Sequence, residues 1–442
     1  MDRVPRAHAY PALTHGALRS HRLRRLKANE YVRCESKSGG GVMKWDKIKL
    51  RDISDKIGSG ATPTGGNSSY KTEGISLIRS QNVHDLNFSY AGLALIDETQ
   101  AEELSNVVVC EGDILLNITG DSVARVCKVP ENVLPARVNQ HVAIIRLNEI
   151  KADSKFVLYH LLNDKSYLLT LAQGGSTRNA LTKGMLEELE IPMPPLPIQH
   201  RIAEVLGRYD ALIENYQRQI GLLEALAQNL YREWFVRGRC PDAQAQAGGL
   251  PVGWEAKRLG DIAADARRIV KIEEVEPTTP YVGLEHLSVK SIVIRDCGVV
   301  EDVDSDKLAF EPFDILFGKI RPYLHKVCLS HFSGVCSSDA IVIKPKLENA
   351  LGFVMFTVFD EHFIEFADKI SNGTKMPRAE WSVLQTYPLI IPSSDALERF
   401  DETIKPIFAK IGNLQSQITR LRQMRDKLLP RLMSGQLAVN AS

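Results

Sequence analysis

Two stretches of the chain, 198 residues apart, carry apolar side chains in strict four-three spacing. The first places Ile202, Leu206, Tyr209, Ile213, Tyr216, Ile220, Leu223, Ala227 and Leu230 in line. The second places Phe400, Ile404, Ile407, Ile411, Leu414, Ile418, Leu421, Arg425 and Leu428. A four-three repeat makes a narrow apolar seam on a helix, and such a seam needs a partner helix to cover it. Two matching seams in one chain are natural partners, so Ile202, Leu206, Ile213, Ile220 and Leu223 are expected to pair with Ile404, Ile411, Ile418 and Leu421. The pairing should be antiparallel, because the chain passes through another domain before it returns. At about 1.5 Å per residue, roughly 35 residues make a rod of about 50 Å. Pro406 falls within the second pattern and should either kink that helix or sit in its first turn.

Elsewhere the pattern changes to short β-branched runs punctuated by turns, at 107–110, 114–118 and 142–147 and again at 282–287, 292–294 and 339–343. Each set carries one helical pattern, near 156–172 and 351–370, as in mixed α/β heads. The heads are copies of one another. Trp45, Leu50, Asp52 and Ile53 recur as Trp254, Leu259, Asp261 and Ile262. Asp113-Ile114-Leu115 recurs as Asp314-Ile315-Leu316. A basic-Val-Cys step follows each Asp, at Arg125-Val126-Cys127 and Lys326-Val327-Cys328. The offset between copies falls from 209 to 201 to 198, so the first copy is the longer, with its surplus near 58–70. From there the offset holds at 198 through both helical patterns. Asp113 and Asp314 read as turn residues that cap a strand.

This repeat divides the chain into a basic extension (1–42), a first head (43–195), a first long helix (196–238) and a linker (239–253). A second head (254–392), a second long helix (393–434) and a tail (435–442) follow. The extension is expected to be disordered, or not translated at all, with Met43 as the start. The Ala/Gln/Gly/Pro-rich linker is expected to be flexible.

Composition adds exclusions. With 44% hydrophobic and 25% charged residues this reads as an ordinary globular chain. A net charge of +1 means that any contact with nucleic acid must come from local basic patches. The seven cysteines are odd in number and scattered, which fits a reducing cytoplasm. No apolar run approaches the roughly 20 residues of a membrane span.

Short motifs then carry a resemblance. Pro194-Pro195-Leu196-Pro197-Ile198-Gln199-His200-Arg201-Ile202 resembles the Pro-Pro-Leu-x-x-Gln-x-x-Ile signature that opens the central helix of Type I restriction–modification specificity subunits. Asp426-Lys427-Leu428-Leu429-Pro430-Arg431-Leu432 is similar to that family's C-terminal signature. Leu250-Pro251-x-Gly253-Trp254 resembles the start of its second recognition domain. The second copy departs at Ser393-Ser394-Asp395, where Pro-Leu-x-x-Gln is expected. The resemblance implies an α+β fold, with two duplicated mixed α/β target recognition domains separated by a pair of long antiparallel coiled-coil helices. It implies a cytoplasmic, non-catalytic subunit whose heads each read half of a bipartite double-stranded DNA target. Its helices would space the heads and dock two methyltransferase subunits, and motor–nuclease subunits would complete the complex. No cofactor belongs to the chain itself, because S-adenosylmethionine, ATP and Mg are bound by the partner subunits.

Reading bases needs Arg, Lys, Asn, Gln and similar donors and acceptors on strand ends or loops. The candidates in the first head are Arg79, Gln81, Asn82, Thr119, Arg125, Asn139, Gln140, Thr177 and Arg178. In the second head they are His286, Lys319, Arg321, Tyr323, Lys326, Ser338, Lys375 and Arg378. A solvated surface residue is the plainer reading of any one of them. His325, Cys328, His331 and Cys336 have the residue types of a zinc site. The first copy keeps only Cys127 there, and strand neighbours three apart face opposite ways, so no metal site is expected. No Gly-x4-Gly-Lys phosphate loop or Asn/Asp-Pro-Pro-Tyr methyltransferase motif occurs, and no catalytic residue is assigned. Three other readings stay open: a recognition subunit of a Type IIB-like assembly, a fused restriction–modification enzyme, and a coiled-coil adaptor that binds only proteins.

Overall fold

The structure, a computed structural model, describes residues 45–63, 65–173, 179–241, 249–294, 296–303, 305–371 and 377–439. From Met43 onward the chain is one compact unit. The basic extension and most of the linker lie outside the described residues.

The two seams lie on two long helices. Leu196–Tyr231 spans 36 residues and ends in a π-helical turn, Arg232–Val236; Ser394–Met433 spans 40. The first helix opens with Pro197 in its first turn, where a missing N–H costs nothing. Gln199, buried at that start, donates to Pro194 O at 2.8 Å and accepts the Asp153 N–H at 3.0 Å, which fastens the helix to the first head. The second helix opens differently. Ser393 accepts the Ala396 N–H as an N-cap, and the buried Asp401 accepts the Gly352 N–H at 2.7 Å, doing for the second head what Gln199 does for the first.

The helices run antiparallel. Asp210, early in the first, meets Arg425, late in the second, at 2.7 Å. Tyr231, at the end of the first, lies 6.3 Å from Phe400, near the start of the second, measured between ring centroids. Ile213, Ile220, Ile404, Ile411 and Ile418 are buried in one cluster together with the second head, and Leu223 and Leu421 pack half-buried at its edge. Ile202 and Leu206 join Leu429, Leu432 and Met433 in the core of the first head. Each head is therefore fused to an opposite end of the helix pair. Pro406 neither stops the second helix nor sits in its first turn. It occupies an exposed position one turn beyond Glu402, which is also exposed, so water can take the place of the missing backbone bond.

Each head is built on two sheets. The inner sheet of the first head has strand order Ser54–Ser59, Val142–Leu147, Ile114–Asn117, Val126–Lys128, all antiparallel. The second head repeats it with Ala263–Asp265, Ala340–Pro345, Ile315–Gly318, Val327–Leu329. The outer sheet of the first head runs Ala94–Ile96, Ile75–Ile78, Ala136–Val138, Val108–Val109, with its central pair parallel. The second head matches this with Gly298–Val299, Pro280–Val282, Gly334–Cys336 and Lys307–Phe310, and adds an edge strand, Arg268–Val270. Cys127 and Cys328 are both buried between the sheets, which accounts for their place in the repeat.

Three local expectations need correction. Of the expected strand at 282–287 only Val282 lies in one, and residues 292–294 form none; Val293 bridges Leu329 and Leu287 bridges Ile294 in isolation. The single helix expected near 156–172 and 351–370 is two in each head, Ser154–Asn163 then Lys165–Gln173, and Leu351–Phe359 then Glu361–Lys369. The break falls at an Asp in both cases. Asp360 has extended backbone and caps the helix after it through the His362 N–H, which a continuous helix would not permit.

Asp113 and Asp314 are turn residues, and they are also buried ion-pair partners. Asp113 accepts the Cys110 N–H at 2.7 Å and two bonds from Arg146, at 2.8 and 2.9 Å. Asp314 accepts the Glu311 N–H at 2.8 Å and Arg268 at 2.7 Å. Asp113 raises the Arg146 pKa through these bonds. The carboxylate recurs between the heads, but its cation comes from a different strand in each.

Candidate nucleic-acid interface

Three loops meet at one end of each inner sheet. They follow the strand at 114–117 or 315–318, precede the strand at 142–147 or 340–345, and return to the sheet at Ala180 or Arg378. The frame is the same in both heads. Ile118 N–H bonds His141 O at 2.9 Å and Lys319 N–H bonds Asp339 O at 3.0 Å. Thr119 bridges Ala180 as Ile320 bridges Arg378. Asn139 accepts the His141 N–H at 3.0 Å, and Ser337 accepts the Asp339 N–H at 3.1 Å, so one turn is closed by two different side chains.

On this common frame the outward side chains differ. In the first head Thr62 donates to Gln140 Oε1 at 2.5 Å, Gln140 lies 3.1 Å from His141 Nε2, and Thr119 lies 2.5 Å from His141 Nδ1. The described side chains of that rim are polar. In the second head Lys319, Ser338 and Arg378 line a groove of about 760 Å³, with Arg378 donating to Asp339 at 3.1 Å. Arg321 and Tyr323 project from the adjoining turn, and Tyr323 is 52% exposed. That rim is basic.

The turn at Arg321 is informative. Arg321 and His325 have φ of +50° and +52°, and at the matching places in the first head Gly120 and Ala124 have φ of +74° and +65°. The backbone shape is shared, and glycine suits it. Arginine there costs backbone strain, of the kind that is retained where a side chain is needed.

Several expected readers face inward instead. Asn82 is fully buried, accepting the Arg79 N–H at 3.0 Å and donating to Ser89 O at 2.8 Å; it holds a turn and is not a base reader. Asn139 is corrected in the same way, being buried and engaged with His141. Arg79 is half-buried, donates to Gly92 O at 2.5 Å and lies 5.0 Å over the Tyr70 ring. His286 accepts the Gly283 N–H at 2.9 Å, and Lys326 donates to Leu284 O at 2.6 Å, so both brace one loop. Gln81 is exposed, and Arg125 is half-exposed at the position equivalent to Lys326. Thr177, Arg178 and Lys375 lie outside the described residues.

Sequence reasoning passed over His141, though it directly follows Asn139-Gln140. It also passed over Asp265 and Arg267, which line the groove of the second head beside Lys319. The Arg267-Arg268 doublet just after the first inner-sheet strand of that head was the available signal. Burial raises the Asp265 pKa, and the nearby cations of Arg267 and Lys319 work against that rise.

The zinc-like residues are not gathered. Cys328 and Cys336 are buried in the core, His325 packs 4.5 Å from the Phe359 ring, and His331 packs beside Gly412 of the second long helix. Among the described residues no three His, Cys, Asp or Glu side chains are placed to hold a metal ion. No described helix is long and apolar enough to cross a membrane.

Comparison with known proteins points one way. The family model described as Type I restriction modification DNA specificity domain matches residues 43–225, the first head and most of the first helix. The Type I restriction enzyme MjaIX specificity subunit of Methanocaldococcus jannaschii is 28% identical, over 89% of this chain and 94% of its own. The EcoDI specificity subunit of Escherichia coli is 24% identical, over 63% of this chain and 69% of its own. In fold, the chain is similar to the crystal structure of a Type I system S subunit from M. genitalium, with a TM-score of 0.55 and 17% identity, covering 91% of this chain and 98% of that one. With similarity running through both heads and both helices, the chain resembles Type I restriction–modification specificity subunits along most of its length.

Proposed function

We propose that this chain selects the DNA sequence on which a Type I restriction–modification complex acts, each head reading one half of a bipartite target. The observation that carries this is the pair of matched rims, one frame bearing different side chains. A catalytic duplication would keep its reacting groups in both copies. A duplication that reads two different half-sites keeps the frame and varies what projects from it. Lys319, Arg321 and Arg378 supply forked or single cations suited to guanine edges or phosphates, whereas Thr119, Gln140 and His141 supply neutral donors and acceptors.

The antiparallel helices hold the heads at opposite ends and so space the two half-sites. Their remaining faces would dock two methyltransferase subunits, and motor–nuclease subunits would complete the assembly in the cytoplasm. Those partners would bring S-adenosylmethionine, ATP and Mg, and this chain would contribute recognition without a catalytic group.

The test is the methylated-adenine map of a host with and without this gene. A bipartite motif that depends on the gene is expected. Exchange of residues 43–195 for another member's first head should change one half of that motif only. A motif unaltered by loss of the gene, or methylation by the purified chain alone, would overturn the proposal.

A further inference from the structure

The two heads part company where the first strand of the inner sheet ends. In the first head Ser54–Ser59 pairs along Val142–Leu147 as far as Ser59 opposite Ala143. In the second head the ladder stops two rungs earlier, with Asp265 opposite Ile343. Ala266 N–H still reaches Val342 O at 2.8 Å, and then the backbone turns at Arg267, with φ of +38°. The chain crosses to the outer sheet as Arg268–Val270, the edge strand that the first head lacks.

Two contacts hold this crossing in place. Arg268 points inward, its guanidinium bonded to buried Asp314 at 2.7 Å and to Glu311 at 2.9 Å. Strand alternation then turns Ile269 outward, and Arg267, on the turn just before the strand, is exposed as well; both line the groove. Asp265 accepts the Arg267 N–H at 3.2 Å and pins the turn from below. The anchored doublet thus aims one arginine into the space already lined by Lys319, Ser338 and Arg378. Arg267 shares with Arg321 a left-handed backbone that glycine would adopt without strain. The Arg267 charge offsets the burial of the Asp265 carboxylate, which any cation could do, whereas a forked donor presented on a rigid element suits a base edge.

We propose that Arg267 is a specificity-determining residue of the second head, contacting a base of its half-site from the crossing between the two sheets. The inference rests on the DNA-reading role given above and adds a reader to it. It also gives the extra edge strand a purpose, which is to carry Arg267 to the groove.

The test uses the full chain expressed with its partner subunits, comparing the parent with Arg267→Gly, Arg267→Ala and Arg267→Lys. Arg267→Gly removes the side chain and relieves the backbone, so it should unfold at a temperature equal to or above that of the parent. All three variants should methylate sites that are relaxed at one position of the half read by residues 254–392. Discrimination there should fall roughly five- to hundredfold, with the other half unchanged. Head exchange in the parent identifies which half belongs to which head. An unchanged motif in Arg267→Gly and Arg267→Ala overturns the proposal. So does uniform weakening across all sites with a salt slope shallower by about one, because that is the mark of a phosphate contact. A parent whose motif does not depend on the gene overturns the DNA-reading role itself, and the inference with it.

Discussion

Replacing Arg425 with alanine should show how strongly the two long helices depend on one polar crossing. Arg425 sits at a seam position where the spacing calls for an apolar residue, and its guanidinium lies 2.7 Å from Asp210 Oδ1. The Tyr159 hydroxyl of the first head donates to the other Asp210 oxygen, so three elements meet at one carboxylate. The side chains of Arg425 and Asp210 are 14% and 26% exposed. A fully exposed pair is worth at most about 1 kcal/mol, and breaking a fully buried one costs about 3–5 kcal/mol. With intermediate exposure, Arg425→Ala and Asp210→Ala should each cost about 2–3 kcal/mol. The double replacement leaves no unpaired charge, so it should cost about 1–2 kcal/mol less than the sum of the two. At the other end of the rod the 198-residue offset puts Ala227 and Phe408 in the corresponding places, and there the crossing is apolar. Pairing two like halves would set Asp210 against Ala227, or Arg425 against Phe408, so the crossing also discriminates between helices. Urea unfolding of the full chain and the three variants, followed by far-ultraviolet circular dichroism, gives the cycle. Strictly additive costs, or an Arg425→Ala cost below about 0.5 kcal/mol, would refute this reasoning.

Burial alone pushes the His331 pKa down to about 4. The unfolded chain, with an imidazole near 6.5, then binds more protons than the folded one between those values, so stability should fall as pH drops from about 6.5 to 4. The loss should reach at most about 3 kcal/mol, and His331→Gln should flatten it in unfolding midpoints measured at pH 7 and 4.5. A Cβ at Gly412 would lie 2.6 Å from His331 Nδ1. Gly412→Ala should therefore destabilise by about 1–2 kcal/mol, although alanine is the better helix former by about 1 kcal/mol; a gain in melting temperature would contradict this packing. Asp113→Ala should cost about 3–4 kcal/mol, because it strands the partly buried Arg146 and a turn N–H, and Asp314→Ala about 1–2 kcal/mol less, because Arg268 keeps Glu311. An equally small loss for Asp113→Ala and for an exposed control such as Glu103→Ala would show that the pair is not structural.

The long-range plan of this molecule was open to sequence reasoning because it is written twice and written locally. A four-three repeat is a property of neighbouring residues on one helix, and two such repeats in register at 198 residues declare their pairing without knowledge of the rest. The recurring Asp113 and Asp314 could likewise be placed in turns. Their cations could not, since Arg146 and Arg268 reach them from different strands, and only the folded sheets bring those together. The same limit governs the rims. Asn82 and Asn139 have the chemistry of base readers, yet the backbone groups around them claim their hydrogen bonds and bury them. Arg267 looks like any surface arginine until the strand before it ends two rungs early and turns it into the groove. Periodicity specifies which face of an element is covered. Whether a polar side chain serves the fold or its surface is decided by the unsatisfied groups that distant segments bring beside it, and that is a property of the tertiary structure.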